Sequence, residues 1–356
     1  MANDMIANHG RRAIGLALAA GLLFGLSTPA AKALLTVTNP WMLAGLLYLG
    51  SGMGLGCLRL ILAFMGRVSR EAPLRRSDWP WLTGATVAGG VVGPVLLMFG
   101  LAGGRASQAA LLLNLESVLT AALAWFVFRE HFDARIATGM ALITAGALLL
   151  AWPGAGLGFD SGALLVAGAC LAWAVDNNLT RKVSGGDPVL IAGLKGGVAG
   201  AVNLTIAAVT GAEFPPVTIA MGALLVGLLG YGLSLVLFVR ALRDLGAART
   251  GAYFTVAPFA GAVAAVVALG EPLTVQLGAG GALMLAGVWL HVTERHEHEH
   301  VHEPLEHEHQ HHHDEHHEHT HDPGVSLTEP HSHPHVHGPL RHRHPHYPDL
   351  HHRHGH

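Results

Sequence analysis

Runs of about twenty apolar residues recur along the first 293 positions, and nothing else constrains this chain as strongly. At about 1.5 Å per residue such a run crosses a hydrocarbon core roughly 30 Å thick. Inside that core every backbone N–H and C=O needs an internal partner, so each run predicts a transmembrane helix. The spans fall at 13–35, 40–64, 80–101, 107–128, 134–152, 160–179, 188–210, 217–239, 248–269 and 274–292. Composition agrees, with 51% hydrophobic and 13% charged residues against about 25% charged in soluble domains. Cys57 and Cys170 lie within apolar runs and read as small hydrophobes, with no disulfide framework.

Arg11-Arg12, an apolar run and Ala31-Lys32-Ala33 imitate a secretory signal. The run exceeds the roughly 7–15 residues of a signal core, so a retained first helix is expected, preceded by a cytoplasmic N-terminus at 1–12. Basic residues then decide orientation. With the N-terminus inside, the cytoplasmic connections hold Arg67, Arg70, Arg75, Arg76, Arg129, Arg135, Arg181, Lys182, Arg240, Arg243 and Arg249, while the far side holds Arg105 and Lys32. That asymmetry predicts ten spans in a cell inner membrane, with both termini cytoplasmic.

The chain also repeats itself. At an offset of 141 residues Glu130 falls on Glu271, Gly139 on Gly280, Ala145-Gly146 on Ala286-Gly287, Ser117 on Pro258 and Glu116 on Ala257. At an offset of 149, Phe24-Gly25 and Lys32 fall on Trp173-Ala174 and Arg181. Two halves of five helices, 13–152 and 160–292, must face opposite ways across the membrane, because five is odd. Inverted repeats of this kind are a recurring plan of secondary transporters, with the site near the midplane.

Phe24-Gly25-Leu26-Ser27 with Lys32, the Leu-Glu-Ser stretch at 115–117 leading to Arg129-Glu130, and Val256-Ala257-Pro258 leading to Gly270-Glu271-Pro272-Leu273 with Gly278, Gly280 and Gly287 occur in order. Over 13–292 this pattern resembles the EamA type of the drug/metabolite transporter superfamily, whose members move small organic solutes. Ser117 stands where that family often has Pro, and Phe24 where Trp is common. The resemblance implies a ten-helix transporter of unspecified substrate.

Polar groups inside spans are expensive and default to functional candidates. The pathway candidates are Ser27 and Thr28 in the first span, beside Pro29; Asn114 and Glu116 in the fourth; Asp176, Asn177 and Asn178 in the sixth; Lys195 in the seventh; and Tyr253 in the ninth. Tyr231 is a further aromatic contact for substrate or for packing. Glu116 and Lys195 are expected to pair, since pairing eases the desolvation each would bear. Arg59, near a span end, reads as an interfacial anchor, and Gly89-Gly90, Gly227, Gly230 and Gly232 as packing positions.

All 27 histidines except His9, His131 and His291 lie after residue 294. The segment 294–356 has no apolar content to form a core and is expected to be disordered. Its His-x-His repeats suit Ni, Co, Zn or Cu through neutral imidazole. The ligands expected are His296, His298, His300, His302, His307, His309, His311, His312, His313, His316, His317, His319 and His321.

The fold class expected is therefore an all-α integral membrane protein: ten transmembrane helices as two inverted five-helix repeats plus a disordered C-terminal tail. The function expected is secondary transport of a small organic metabolite or drug-like solute, with export favoured, no required cofactor and a metal-binding regulatory tail. A divalent metal exporter and a non-transporting metal-storage or sensing protein are the alternatives. No nucleophile and base stand at catalytic spacing, so no enzyme is expected. The partners expected are the lipid bilayer, the substrate and divalent metal ions, with no nucleic acid; a homodimer is compatible.

Overall fold

The structure, a computed structural model, describes residues 2–66, 74–128, 134–152, 160–183 and 186–292, with the tail segments 297–301, 305–311, 331–337 and 341–345. Arg67, Arg70, Arg129, Glu130, His131 and the tail histidines outside those segments lie beyond the described residues.

The body is helical throughout. The first repeat comprises α1 (Ala2–Leu34), α2 (Pro40–Phe64), α3 (Trp79–Ala85), α4 (Gly93–Gly103), α5 (Ala106–Leu112), α6 (Leu115–Phe128) and α7 (Ala134–Ala151). The second comprises α8 (Ser161–Thr180), α9 (Pro188–Val209), α10 (Val217–Gly227), α11 (Ser234–Phe254), α12 (Val256–Leu269) and α13 (Val275–Val292). Among the described residues eight helical stretches are long and apolar enough to cross a membrane, and 256–269 and 275–290 are shorter apolar helices.

Local chemistry explains the starts. Asn39-Pro40 and Asp187-Pro188 open α2 and α9 alike. The Asn39 side chain accepts from the Trp41 N–H and Asp187 from those of Val189 and Leu190, while proline at the first helical position has no N–H to leave unpaired.

Four expected spans are interrupted. Between α3 and α4 the chain forms a π-helical turn, Thr86–Val92, and between α10 and α11 another, Leu228–Leu233; at the 141-residue offset the two coincide. The expected fourth span, 107–128, is two helices, α5 and α6, separated at Leu113-Asn114. The expected ninth span, 248–269, is likewise corrected. Residues 240–249 continue α11 rather than forming a connection, and the break comes at Thr255. Thr255 lies 141 residues after Asn114, so this discontinuity is also shared.

The two breaks have different chemical causes. Pro258 lacks the N–H that would bond the Phe254 carbonyl, and its ring clashes there. In the first repeat Ser117 replaces that proline. Asn114 Nδ2 donates to the Leu111 carbonyl at 2.9 Å, and Ser117 Oγ to the Asn114 carbonyl at 2.8 Å. Side chains compete for the ladder's acceptors where proline would have removed a donor.

Packing follows a pseudo-two-fold relation. α7 lies on α13, α2 on α9, α1 on α11 and α12, and α8 on α4 and α6. The glycine contacts are reciprocal. A Cβ at Gly146 would sit 2.8 Å from the Gly280 carbonyl oxygen, and one at Gly287 would sit 2.6 Å from that of Gly139. One at Gly52 would sit 2.2 Å from the Gly197 nitrogen, and one at Gly200 would sit 2.5 Å from that of Leu49. Small residues let backbones approach this closely where no hydrophobic effect drives helices together.

Polar contacts sort the helix ends into two sets. At one end Lys32 Nζ donates to the carbonyls of Leu101 (2.6 Å) and Gly104 (2.8 Å) at the close of α4. There Glu271 accepts from the Ala106 and Ser107 backbone N–H groups (2.7 and 2.9 Å) and Gln276 donates to the Leu149 and Trp152 carbonyls. At the other end Arg59 pairs with Asp187, and Lys182 lies 6.0 Å from the ring centre of Trp81. Arg59 therefore also ties α2 to the cap of α9.

In the tail, 297–301 (β1) pairs antiparallel with 341–345 (β4), and 305–311 (β2) with 331–337 (β3). Their alternation of His with Glu, Ser, Pro or Arg has the strand period of two, though without an apolar face.

Candidate functional site

The interior of the bundle carries one ionic cluster, drawn from both repeats. Lys195, on α9, donates from Nζ to Asp176 Oδ1 at 2.5 Å and to Thr180 Oγ1 at 3.2 Å. Thr180 Oγ1 in turn donates to Asp176 Oδ1 at 2.8 Å. The expected pair of Lys195 with Glu116 is therefore corrected: Lys195 joins Asp176 on the neighbouring helix α8, nineteen residues away. Asp176 and Thr180 lie one turn apart on α8 and offer Lys195 two oxygens at once.

Glu116 sits in the first turn of α6, where a carboxylate complements the helix dipole. Its Oε1 accepts from Asn177 Nδ2 at 2.8 Å. Asp176 and Lys195 are within its electrostatic reach, yet among the described residues no cation forms an ion pair with it. Asn177 is exposed and Glu116 half-buried, whereas Asp176 is buried. The cluster thus joins a half-buried Lys195 to a buried Asp176 and carries a second, half-buried carboxylate in Glu116.

Beside it stands a column of aromatic rings. Phe238 and Phe254 lie 5.0 Å apart between centroids, Phe254 and Phe24 5.6 Å, Phe24 and Tyr231 5.8 Å, and Tyr231 and Tyr48 5.5 Å. The column joins the cluster through Gly89, whose carbonyl accepts from Tyr48 OH at 2.7 Å and from Trp173 Nε1 at 2.9 Å. A π turn leaves carbonyls without their usual helical partner, and Gly89 lies in one. A Cβ at Gly89 would fall 1.8 Å from Asp176 Oδ2, so only glycine lets the carboxylate in.

The repeat relation makes the asymmetry visible. The partner of Gly89 is Gly230, whose Cβ would fall 2.6 Å from Ser27 Cβ. Ser27 and Asp176 thus occupy equivalent places, one neutral and one charged, and Glu116 is matched by Ala257. Charge therefore gathers on one side of the pseudo-axis, beside Trp173 and Tyr48, where the other side has Ser27 and Ala257.

The remaining candidates fall elsewhere. Ser27 is buried, its hydroxyl donating to the Phe24 carbonyl at 2.6 Å, and Thr28 is buried beside it. Asn114 is buried at the α5–α6 break, with its amide also 3.8 Å from Met284 Sδ. Asn178 donates to the Ala174 and Thr120 carbonyls. Tyr253 is half-buried, and its neighbour Phe254 joins the aromatic column instead. Sequence reading passed over Tyr48 and Trp173, because an aromatic residue in an apolar span looks like packing. The glycine pair Gly89-Gly90 opposite them was the available signal.

Asn203 is fully buried, with Nδ2 3.2 Å from the Gly90 carbonyl. Among the described residues no three His, Cys, Asp or Glu side chains gather in a way that could hold a metal ion. The tail ligands expected from sequence have no described side chains.

Comparison with known proteins agrees with this architecture. The chain is 29% identical over 290 residues to an uncharacterized transporter of Methanothermobacter thermautotrophicus, spanning 77% of this chain and 84% of that protein. A crystal structure 18% identical in sequence superposes with a TM-score of 0.58 over 78% of this chain and 95% of the other; at that identity the likeness concerns the fold alone. The profile of the EamA-like transporter family matches twice, over residues 11–152 and 160–293, one match to each repeat. With most of the chain accounted for in this duplicated way, the protein is a multi-pass membrane protein that belongs to the EamA-like transporter family.

Proposed function

We propose that this protein is a secondary transporter with ten membrane spans, 256–269 and 275–290 included, which exports a small organic solute from the cytoplasm by alternating access. The observation that carries the reading is the pair of discontinuous helices at equivalent positions of the two repeats, α5–α6 and α11–α12. Helices broken near the midplane free backbone groups where a substrate can use them, and such pairs mark the binding region of inverted-repeat transporters. The basic set of helix ends, with Arg59, Arg75, Arg76 and Lys182, faces the cytoplasm of an inner membrane by the positive-inside rule. That orientation puts the histidine tail inside the cell, where it binds divalent Ni, Co, Zn or Cu and regulates transport.

Divalent metal export is the second reading, and the tail's histidine content is what favours it. The carboxylate, amide and ammonium groups of the interior are a poor set for these metals, which prefer imidazole and thiolate. A strain lacking the gene, challenged with Ni, Co, Zn and Cu, separates the two when complemented by the full chain and by one ending at Glu294. Metal tolerance restored by both chains favours metal export through the helices. Tolerance that depends on the tail, with solute efflux retained by the shortened chain, supports the regulatory reading. Reconstituted vesicles that accumulate no solute of any class would overturn both.

A further inference from the structure

The ionic cluster and the aromatic column together carry information about charge. Lys195 is occupied by Asp176 and Thr180, and the formal charges of that pair cancel. Glu116 remains, held by the Asn177 amide and by no described cation. With Glu116 ionised, the cluster has one negative charge in excess, on a half-buried side chain.

Tyr48, Tyr231 and Phe24 are each half-buried although they pack on one another. Glu116 is linked to the column by Asn177, which binds it, by Asp176 next to Asn177 on α8, and by Gly89, which packs on Asp176 and whose carbonyl Tyr48 binds. An anion entering here would meet Glu116 with Lys195, the nearest ammonium among the described residues, already engaged. A neutral solute would leave the excess charge in a low-dielectric interior without compensation. A positive group offsets that cost, and aromatic faces attract cations as well as apolar surface.

We propose that the substrate is a monovalent organic cation with an apolar or aromatic body, its charge met by Glu116 and its body by Tyr48, Tyr231 and Phe24. This deepens the transport reading and rests on it for the word substrate, though the binding claim can be tested separately.

The test is equilibrium binding to the full-length purified protein in lipid nanodiscs. The probes are tetramethylammonium, benzyltrimethylammonium and tetraphenylphosphonium, with benzenesulfonate and benzyl alcohol as the anionic and neutral comparisons. Saturable binding of at least one cation is expected, in preference to both comparisons. Glu116→Gln should weaken it by about tenfold or more, the equivalent of about 1.4 kcal/mol, and Tyr231→Ala by about threefold or more. Glu116→Asp, which keeps the charge, should retain binding, and thermal unfolding of each variant shows whether it is folded. Preference for benzenesulfonate or benzyl alcohol, no saturable cation binding, or a folded Glu116→Gln protein within twofold of the parent would overturn the proposal. Cation binding without uptake into vesicles would defeat the transport reading and leave this one standing. Uptake of a neutral or anionic solute, with no cation bound, would do the reverse.

Discussion

Lys195 and Asp176 are the residues whose meaning changed most between sequence and structure. Both are polar residues in apolar spans, and the expense of unpaired charge there predicts that each has a partner. Which partner was not legible, since several helical registers leave Lys195 facing Glu116 or Asp176 equally well. The side-chain exposures of 15% and 10% make the pair a largely buried one. Removing one member strands the other, at a cost of about 3–5 kcal/mol, whereas replacing both by apolar groups can be nearly neutral. Lys195→Met alone is therefore expected to lower the unfolding temperature clearly in detergent. The double variant with Asp176→Leu should recover most of the loss. Equal unfolding temperatures for parent and single variant would show that the pair is not buried as described.

The helix breaks belong to the scale of the element. Proline at 258 makes the second break readable, because proline disturbs the ladder at the preceding turn. The first is harder to see. Asn114 and Ser117 reproduce the interruption with side-chain hydrogen bonds, and those residue types are common in unbroken membrane helices too. The duplication was the missing guide, since Asn114 and Thr255 share one place in the repeat. Asn114→Leu combined with Ser117→Ala should restore a continuous ladder, keep or raise thermal stability, and reduce vesicle uptake by at least about tenfold, a change in barrier of roughly 1.4 kcal/mol. Pro258→Ala should act in the same direction. Wild-type uptake by both variants would mean the breaks do not serve the pathway. The π turns were legible only as glycine clusters, because an inserted residue alters the hydrogen-bond register without altering hydropathy.

For the whole molecule, the reciprocal glycine contacts predict where bulk is tolerated. Gly52 and Gly56 lie one turn apart on α2, yet a Cβ at Gly52 would strike the Gly197 backbone at 2.2 Å while one at Gly56 meets nothing within 4 Å. Gly52→Val should destabilise the protein by about 1–3 kcal/mol or more, as overpacking does. Gly56→Val should leave the unfolding temperature unchanged, and equal effects from the two would contradict the α2–α9 contact. The sequence by itself determined the apolar spans, the duplication, the basic asymmetry and the membrane class, because these depend on composition and period along the chain. Tertiary structure alone decided that Lys195 meets Asp176, that Tyr48 and Trp173 share the Gly89 carbonyl, and that Glu116 is held by Asn177. Such contacts join residues 19 to 84 positions apart, and a linear pattern holds no record of which helix faces fold against one another.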